Sequence, residues 1–177
     1  MLFAKLKPLL ILLISFALYG CNEDLNPSDS DDRPSVQAGS VGHFVGQNSA
    51  DFTILDTLGE TINLADELLG HDAVVLYFTM WCPLCDTHMS SIRKSVKPLF
   101  PNVRFLVVDY VSGSTNQSRS AQFSNGYASE TVIPDTEHVL LKQFDATMGS
   151  TIVINASGEI LMNEDYKQSK IISVLEP

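Results

Sequence analysis

The chain has 177 residues, a formal net charge of -10 at pH 7 and 45% hydrophobic residues. This composition is that of a globular protein with one ordinary folded domain and an apolar core. Because nucleic acid and anionic bilayer surfaces carry the same sign of charge, such an acidic chain is a poor ligand for either, and we predict no nucleic-acid partner.

The first 20 residues have the layout of an export signal. Two lysines precede an apolar run from Leu9 to Leu18, and the small residue Gly20 stands directly before Cys21. The apolar run has about ten residues, whereas a membrane-spanning helix needs about 20. The sequence therefore predicts a signal peptide over residues 1–20 in place of a permanent transmembrane helix.

The end of this segment, Leu18-Tyr19-Gly20-Cys21, resembles the lipobox of bacterial lipoproteins. The resemblance implies that Cys21 becomes the lipid-modified N-terminus and anchors the protein to a membrane. Asn22, in place of Asp, implies sorting to the outer membrane of a Gram-negative cell, so we expect a lipid-anchored protein of the cell envelope that faces the periplasm. The alternative is a signal peptide without lipidation and an incidental cysteine.

Residues 21–42 are rich in Asp, Ser, Pro and Gly. Such a composition buries too little apolar surface to fold, and its like charges keep the chain extended. We predict a lipidated, acidic, disordered tether over residues 21–42, followed by one folded domain over residues 43–177. A flexible segment of this length reaches roughly 25 Å, which would hold the domain clear of the lipid headgroups.

From about residue 44, short apolar runs alternate with helix-like segments, as expected of an α/β fold. Residues 52–55 and 61–64 flank a turn and predict a β-hairpin. Continuous apolar runs predict strands buried on both faces, at residues 73–78, 103–109 and 151–155. The turn at residues 155–158 then leads to an antiparallel partner at residues 159–162.

A helix is predicted between the first two buried strands. Pro83 suits its first turn, and one face carries residues at helical spacing: Cys85, Met89, Ile92 and Val96. Cys82 would then lie at the N-terminal end of this helix. Further helices are predicted at residues 136–144 and 167–175.

Cys82 and Cys85 form a Cys-x-x-Cys motif where a buried strand meets this helix. A helix N-terminus stabilises a thiolate through its unpaired N–H groups and partial positive charge, so Cys82 is the predicted nucleophile. Cys85 lies within disulfide reach on the inward face and is the predicted resolving thiol. Trp81 is expected to cover the flank of the pair, and Pro83 to limit the conformations of the loop.

Two other interpretations of these cysteines stay open. In the first, the pair is a static structural disulfide that takes no part in exchange. Against it, an oxidising compartment continually offers thiols and disulfides with which such a pair can react. Alternatively, Cys82, Cys85 and His88 recur every three residues and offer ligands that suit zinc or copper, with His138 as a fourth candidate. Ligands on one and a half helical turns converge poorly on one ion, so we predict neither a metal nor another cofactor.

Over residues 44–175 the chain resembles the thioredoxin-like redoxin family, especially the TlpA/ResA-like periplasmic proteins. The segments that carry the resemblance are 45–53, the 56–64 hairpin, 74–85 with its Trp-Cys-Pro-x-Cys core, and 152–158. It implies a thioredoxin fold, in which a central mixed β-sheet is flanked by helices and extended by an N-terminal β-hairpin. It also implies disulfide exchange with protein or small-molecule thiols and disulfides, and an electron donor in the cell envelope.

The chain departs from this family at three places. Met148-Gly149 stands where relatives carry a cis-proline that shapes the substrate groove, so these two residues are predicted to support the site. Leu76 occupies the place of a buried acid in thioredoxins proper, so the proton of Cys85 must pass to solvent or to another group. Ser90 replaces a helix-kinking proline.

Thr79-x-x-Cys82 also resembles the Thr-x-x-Cys motif of peroxiredoxins, a related group, although Val75 stands where their motif begins with proline. This resemblance implies an alternative function, the reduction of hydroperoxides through Cys82. Three arginines are candidates for the activating cation: Arg93, Arg104 and Arg119. For disulfide exchange we expect a reductant or an isomerase-like role, because little positive charge surrounds the motif to depress the Cys82 pKa strongly.

Overall fold

The computed structural model describes residues 36–176. The predicted signal peptide, Cys21 and residues 22–35 of the predicted tether lie outside this part. Residues 36–42 form turns whose backbone is hydrogen-bonded: the Gly39 N–H donates to the Gly46 carbonyl, and the Gly42 N–H to the Asn48 carbonyl. Within residues 36–176, no helix is long and apolar enough to cross a membrane.

A five-stranded mixed β-sheet forms the centre of the domain, in the order β5-β4-β3-β6-β7. The first three of these strands are mutually parallel, whereas β6 runs antiparallel to β3 and β7 antiparallel to β6. A separate antiparallel hairpin is formed by β1 and β2. The strands are β1 (Thr53–Leu55), β2 (Thr61–Asn63), β3 (Ala73–Thr79), β4 (Val103–Asp109), β5 (Thr131–Pro134), β6 (Ser150–Asn155) and β7 (Ile160–Asp165).

Helices connect the strands and cover both faces of the sheet. The parallel pairs β3-β4 and β4-β5 are each joined by a helical crossover, as parallel strands require. The helices are α1 (Leu64–Gly70), α2 (Pro83–Ser91), α3 (Thr115–Ser124), α4 (Val139–Gln143) and α5 (Gln168–Leu175). A π-helical turn (Ile92–Val96) and a 3-10 turn (Lys97–Leu99) extend α2.

The central strand β3 is buried at every residue. Alternate side chains of a strand point to opposite faces, and they divide the core accordingly. Leu76 packs in a cluster with Phe144 on one face, and Tyr77 packs with Met89 and Ile171 on the other. Helices on both faces and strands on both sides explain why the sequence of β3 is continuously apolar.

The sequence predicted the hairpin, the three buried strands, α2 and the last helix within a few residues, and the thioredoxin-like mixed sheet is confirmed. The predicted second strand of the hairpin is one residue too long, because Asn63 caps α1 and Leu64 begins it. The helix predicted over residues 136–144 is shorter in the structure, where it begins at Val139 because Asp135 caps its first turn. The predictions omitted three elements: α1, α3 and β5.

Asp135 is the residue on which α4 depends. Its carboxylate is fully buried and accepts hydrogen bonds from the backbone N–H groups of Val139, Leu140 and Leu141, at 2.7, 3.3 and 2.8 Å. These are N–H groups of the first turn, which have no partner within the helix. One side chain therefore satisfies the whole N-terminus of a five-residue helix.

We predict that Asp135→Ala lowers the free energy of unfolding by about 2 kcal/mol or more, because it leaves several buried N–H groups unpaired. Denaturant unfolding of the variant would measure this loss. The control is Ser114→Ala, which removes the exposed cap of α3 and should cost about 0.5–1 kcal/mol. A loss for Asp135→Ala no larger than that of the control would contradict the prediction.

Candidate active site

The site lies where the carboxyl ends of β3 and β4 meet at one edge of the sheet. Thr79, the last residue of β3, is paired in register with Asp109, the last residue of β4. The segment that follows β3 leads directly into α2 and contains the cysteine motif. The arrangement brings the motif, the end of β4 and the loop before β6 together.

Cys82 caps the N-terminus of α2. Its backbone is extended, its Sγ accepts the backbone N–H of Cys85 at 3.1 Å, and its carbonyl accepts the N–H of Asp86 at 2.9 Å. Pro83 occupies the first helical position, where its fixed φ suits a helix and no backbone N–H is needed. The predicted placement of Cys82 at the helix end is confirmed.

Cys82 and Cys85 are joined by a disulfide, with their Cα atoms 5.0 Å apart. Cys82 is partly exposed, whereas Cys85 is fully buried. The inward face of α2 and its extension also buries the other three residues predicted for it, Met89, Ile92 and Val96. A partner molecule can therefore reach Cys82 from solvent, and Cys85 can be reached only from Cys82.

Trp81 has a left-handed backbone conformation, with φ at +57°, which is uncommon for a bulky residue. Two hydrogen bonds hold it: its backbone N–H donates to Thr79 Oγ1 at 3.1 Å, and its indole Nε1–H donates to Asp109 Oδ2 at 2.8 Å. The buried Asp109 carboxylate also accepts the N–H groups of Val111 and Ser112. Trp81 is thus fixed next to Cys82 by residues at the ends of β3 and β4.

Tyr127 packs against the other side of the motif. Together with Trp81 and both cysteines it lines one small pocket, and its ring centroid is 6.4 Å from that of Trp81. Its hydroxyl donates to Asp86 Oδ1 at 2.5 Å. The segment after α3 therefore closes the inner side of the site.

Met148 and Gly149 lie in the loop before β6, next to the end of β3. The Gly149 N–H donates to the Phe78 carbonyl at 3.0 Å, and its carbonyl accepts the Tyr166 N–H at 2.9 Å. Gly149 has φ at +85°, and no peptide bond within residues 36–176 is cis. At the place where the resemblance implies a cis-proline, this chain has a trans peptide with a glycine conformation.

His88, on α2, lies against this loop. A Cβ atom at Gly149 would be 3.7 Å from the imidazole ring, and the ring stacks on Tyr166 with centroids 4.5 Å apart. His88 Nδ1 is 3.1 Å from the hydroxyl of Tyr77. Burial lowers the pKa of His88, against the opposing effect of Asp165.

The groups proposed for a metal do not assemble around the motif. His88 is paired with Tyr77, and His138 Nε2 lies 2.9 Å from the Tyr110 carbonyl oxygen. Within the part of the chain that the structure describes, no three His, Cys, Asp or Glu side chains are grouped so as to hold a metal ion.

The three candidate arginines differ in their surroundings. The guanidinium of Arg93 lies 4.9 Å from the centroid of the Tyr127 ring, which borders the site. Arg104 is paired with Glu67 at 3.1 Å, and Arg119 donates to Gln122 at 3.0 Å. Of these three arginines, Arg93 therefore contacts a residue next to the disulfide, namely Tyr127.

The sequence analysis missed Asp86, Asp109 and Tyr127. For Asp109 a signal was present: an acid at the carboxyl end of a predicted buried strand lies at the edge where the motif is also predicted. Asp86 had the signal of an acid in the first turn after the motif. Tyr127 had no comparable signal, since its contact with Asp86 spans 41 residues of sequence.

Solved structures share this fold. A candidate protein disulfide isomerase from Bacteroides thetaiotaomicron is 22% identical with a TM-score of 0.63, over 75% of this chain and 86% of that one. The pneumococcal exposed lipoprotein thioredoxin of Streptococcus pneumoniae strain TIGR4 is 20% identical with a TM-score of 0.57, over 71% and 98%. The peroxidoxin BcpB of Mycobacterium tuberculosis is 19% identical with a TM-score of 0.58, over 74% and 95%. At these identities the likeness shows the fold.

No curated protein sequence matches the chain, but a family model does. The model of the AhpC/TSA family matches residues 45–162, roughly two thirds of the chain. The matched segment contains the cysteine motif, the end of β4, Tyr127 and the loop before β6. The chain therefore belongs to the AhpC/TSA family and is an oxidoreductase of thioredoxin-like fold.

Proposed function

We propose that the protein is a thiol:disulfide exchange enzyme of the bacterial cell envelope, which reduces disulfides of proteins or small molecules through Cys82 and Cys85. The observation that carries the proposal is a disulfide at a helix N-terminus with one cysteine partly exposed and the other fully buried. This asymmetry suits two successive thiol reactions, whereas a static structural disulfide has no use for an accessible sulfur at a helix end.

The reaction begins with the reduced dithiol. The Cys82 thiolate, stabilised by the helix N-terminus and by the N–H of Cys85, attacks one sulfur of a substrate disulfide and releases the first substrate thiolate. Cys85 then attacks Cys82 Sγ in the mixed disulfide, and its proton passes to the departing second substrate sulfur or to water. Two electrons reach the substrate, and the enzyme is left as the Cys82–Cys85 disulfide.

The charges around the motif favour a reductant. Asp86 directly follows Cys85, and the buried Asp109 carboxylate binds Trp81. Negative charge near a thiol opposes thiolate formation, and an oxidant requires a strongly stabilised thiolate. A reductant must itself be reduced again after each turnover, so the proposal requires an electron donor in the envelope.

The proposed location rests on the N-terminal sequence. The signal layout and the lipobox-like segment ending at Cys21 support a lipid anchor, and Asn22 supports the outer membrane. One structural neighbour, from Streptococcus pneumoniae, is described as an exposed lipoprotein thioredoxin. A tethered domain facing the periplasm would meet exported proteins with newly formed disulfides.

A second candidate function is thiol peroxidase activity. The AhpC/TSA match and the likeness to a peroxidoxin support it, as does the burial of Thr79 beside the motif. In that reaction the Cys82 thiolate attacks one oxygen of a hydroperoxide, which breaks the O–O bond, releases the alcohol or water and leaves Cys82 as a sulfenic acid. Cys85 then condenses with the sulfenic acid to release water and form the disulfide. Arg93 is the arginine best placed to contribute positive charge.

One comparison separates these functions. We predict that the chain from residue 21 onward, carrying Cys21→Ser, reduces disulfides faster than it consumes hydroperoxides and binds no stoichiometric zinc or copper. Disulfide reduction, peroxide consumption and metal content would be measured on the same preparation. Fast peroxide turnover with slow disulfide exchange would favour the peroxidase, and tight metal binding with neither activity would exclude both enzymatic functions.

The two cysteines should behave differently when replaced. We predict that Cys82→Ser abolishes exchange, because the remaining thiol of Cys85 is buried and lacks the same stabilisation by the helix end. Cys85→Ser should still attack a substrate disulfide but should accumulate as a mixed disulfide, because no resolving thiol remains. Intact mass and non-reducing electrophoresis would detect the trapped species.

Each variant is the control for the other, since both remove one sulfur from the same disulfide. Trapping by Cys82→Ser together with an inert Cys85→Ser would show that the roles are reversed. Wild-type exchange activity in both variants would show that the reaction does not depend on this disulfide.

The anchor is tested at Cys21. We predict that Cys21→Ser removes lipidation and either blocks processing or releases the protein into the periplasm, because the modified sulfur is absent. Cell fractionation and intact mass would show the change, while disulfide exchange by the folded domain should stay at the wild-type rate. Ser30→Ala is a control in the same segment. Retention of the Cys21→Ser protein in the membrane fraction after processing would refute the lipid anchor.

A further inference from the structure

Tyr127 joins the segment after α3 to the helix that carries the dithiol. Its hydroxyl lies 2.5 Å from Asp86 Oδ1 and 3.1 Å from the Asp86 carbonyl oxygen. Asp86 is the residue after Cys85, and its own N–H donates to the Cys82 carbonyl. The phenol therefore contacts the first turn of α2, on which both sulfurs lie.

Tyr127 is itself held in place from several directions. The side-chain amide of the buried Gln122 donates to the Tyr127 carbonyl at 3.1 Å and to the Glu130 carbonyl at 2.7 Å. Arg93 packs on the face of the ring and donates to the Gly126 carbonyl at 3.2 Å. Only 2% of Tyr127 is exposed, so its hydroxyl has a fixed position.

Asp86 is the charged group closest in sequence to the two sulfurs. A carboxylate near a thiol opposes ionisation of that thiol, because the two negative charges repel. A phenol that donates to the carboxylate draws part of its charge into a strong, charge-assisted hydrogen bond and fixes its direction. The orientation of Asp86 thus affects how readily the thiolate of Cys82 forms.

The phenol remains a donor throughout the pH range in which thiols ionise. Burial, and then the hydrogen bond with Asp86, raises the pKa of Tyr127 to about 12. The other charged or titratable groups that face the motif are Arg93, stacked on Tyr127, the buried Asp109, bonded to Trp81, and His88, on the same helix. None of these is bonded to Asp86 in the described structure.

We propose that Tyr127 is a positioning residue, which holds the Asp86 carboxylate through its hydroxyl and thereby sets the reduction potential of the Cys82–Cys85 pair. The proposal rests on the function proposed above. Tyr127 touches neither substrate nor the reacting atoms, and it acts through Asp86. Its effect should therefore be seen in the potential and in the thiolate pH profile.

The test compares Tyr127→Phe, Asp86→Asn and the double variant, all in the chain from residue 21 onward with Cys21→Ser. Tyr127→Phe keeps the ring but leaves the carboxylate charge uncompensated, so the Cys82 pKa should rise by about half a unit. The disulfide should then be favoured on the order of threefold in equilibrium with glutathione. Asp86→Asn should shift both quantities in the opposite direction, and the double variant should match Asp86→Asn alone.

The control is Tyr166→Phe. The hydroxyl of Tyr166 donates to Ser91, the last residue of α2, and not to a carboxylate. This variant should leave the potential unchanged. Denaturant unfolding would show whether Tyr127→Phe is folded, and Asp86→Asn tests the proposal independently, since Asp86 is exposed. The proposal is wrong if both single variants keep the wild-type potential. It is also wrong if Tyr127→Phe shifts the potential as much in the Asp86→Asn background as in the wild-type protein.

Failure of this inference differs from failure of the proposed function. If the wild-type protein does not equilibrate with glutathione, the exchange function fails before any variant is compared. If it equilibrates and the variants do not differ from it, only the role of Tyr127 is refuted.

Discussion

The active site depends on the use of a sulfur atom as the cap of α2. In most helices a side-chain oxygen at this position accepts a backbone N–H of the first turn, and here Cys82 Sγ accepts the N–H of Cys85. The capping group and the reactive group are the same atom. A thiolate is a stronger acceptor than a disulfide sulfur, so reduction strengthens the cap, and the helix N-terminus in turn favours the reduced, ionised form.

The surroundings of the cap oppose this effect with negative charge. Asp86 and Asp109 are both close to the motif, and each is bound by a neutral donor, the phenol of Tyr127 and the indole of Trp81. Neutral donors fix the carboxylates and offset only part of their charge, whereas a lysine or arginine would cancel it more completely. The potential of the pair therefore follows from a balance between the helix end and two oriented carboxylates.

The sequence was informative where burial is continuous or periodic. The run from Ala73 to Phe78 predicted the central strand, and the spacing of Cys85, Met89 and Ile92 predicted α2 with Cys82 at its end, because both signals report a single buried element. In contrast, α3 is polar and buries only Ser118 and Gln122, so it carries no apolar stripe. The role of Tyr127 depends on its contact with Asp86, which lies 41 residues earlier in the chain. No local sequence pattern encodes a contact of that separation.

The loop that faces the dithiol shows how a family feature can change its physical form. The resemblance implied a cis-proline ring there, and this chain has a trans peptide at Gly149, tied by its N–H to Phe78 and by its carbonyl to Tyr166. The imidazole of His88 lies against this loop, 3.7 Å from the place where a Cβ atom at Gly149 would stand. Since His88 belongs to α2, the helix that carries Cys82 also contacts this loop. A change in α2 can therefore alter the position of the loop as well as the reactivity of Cys82.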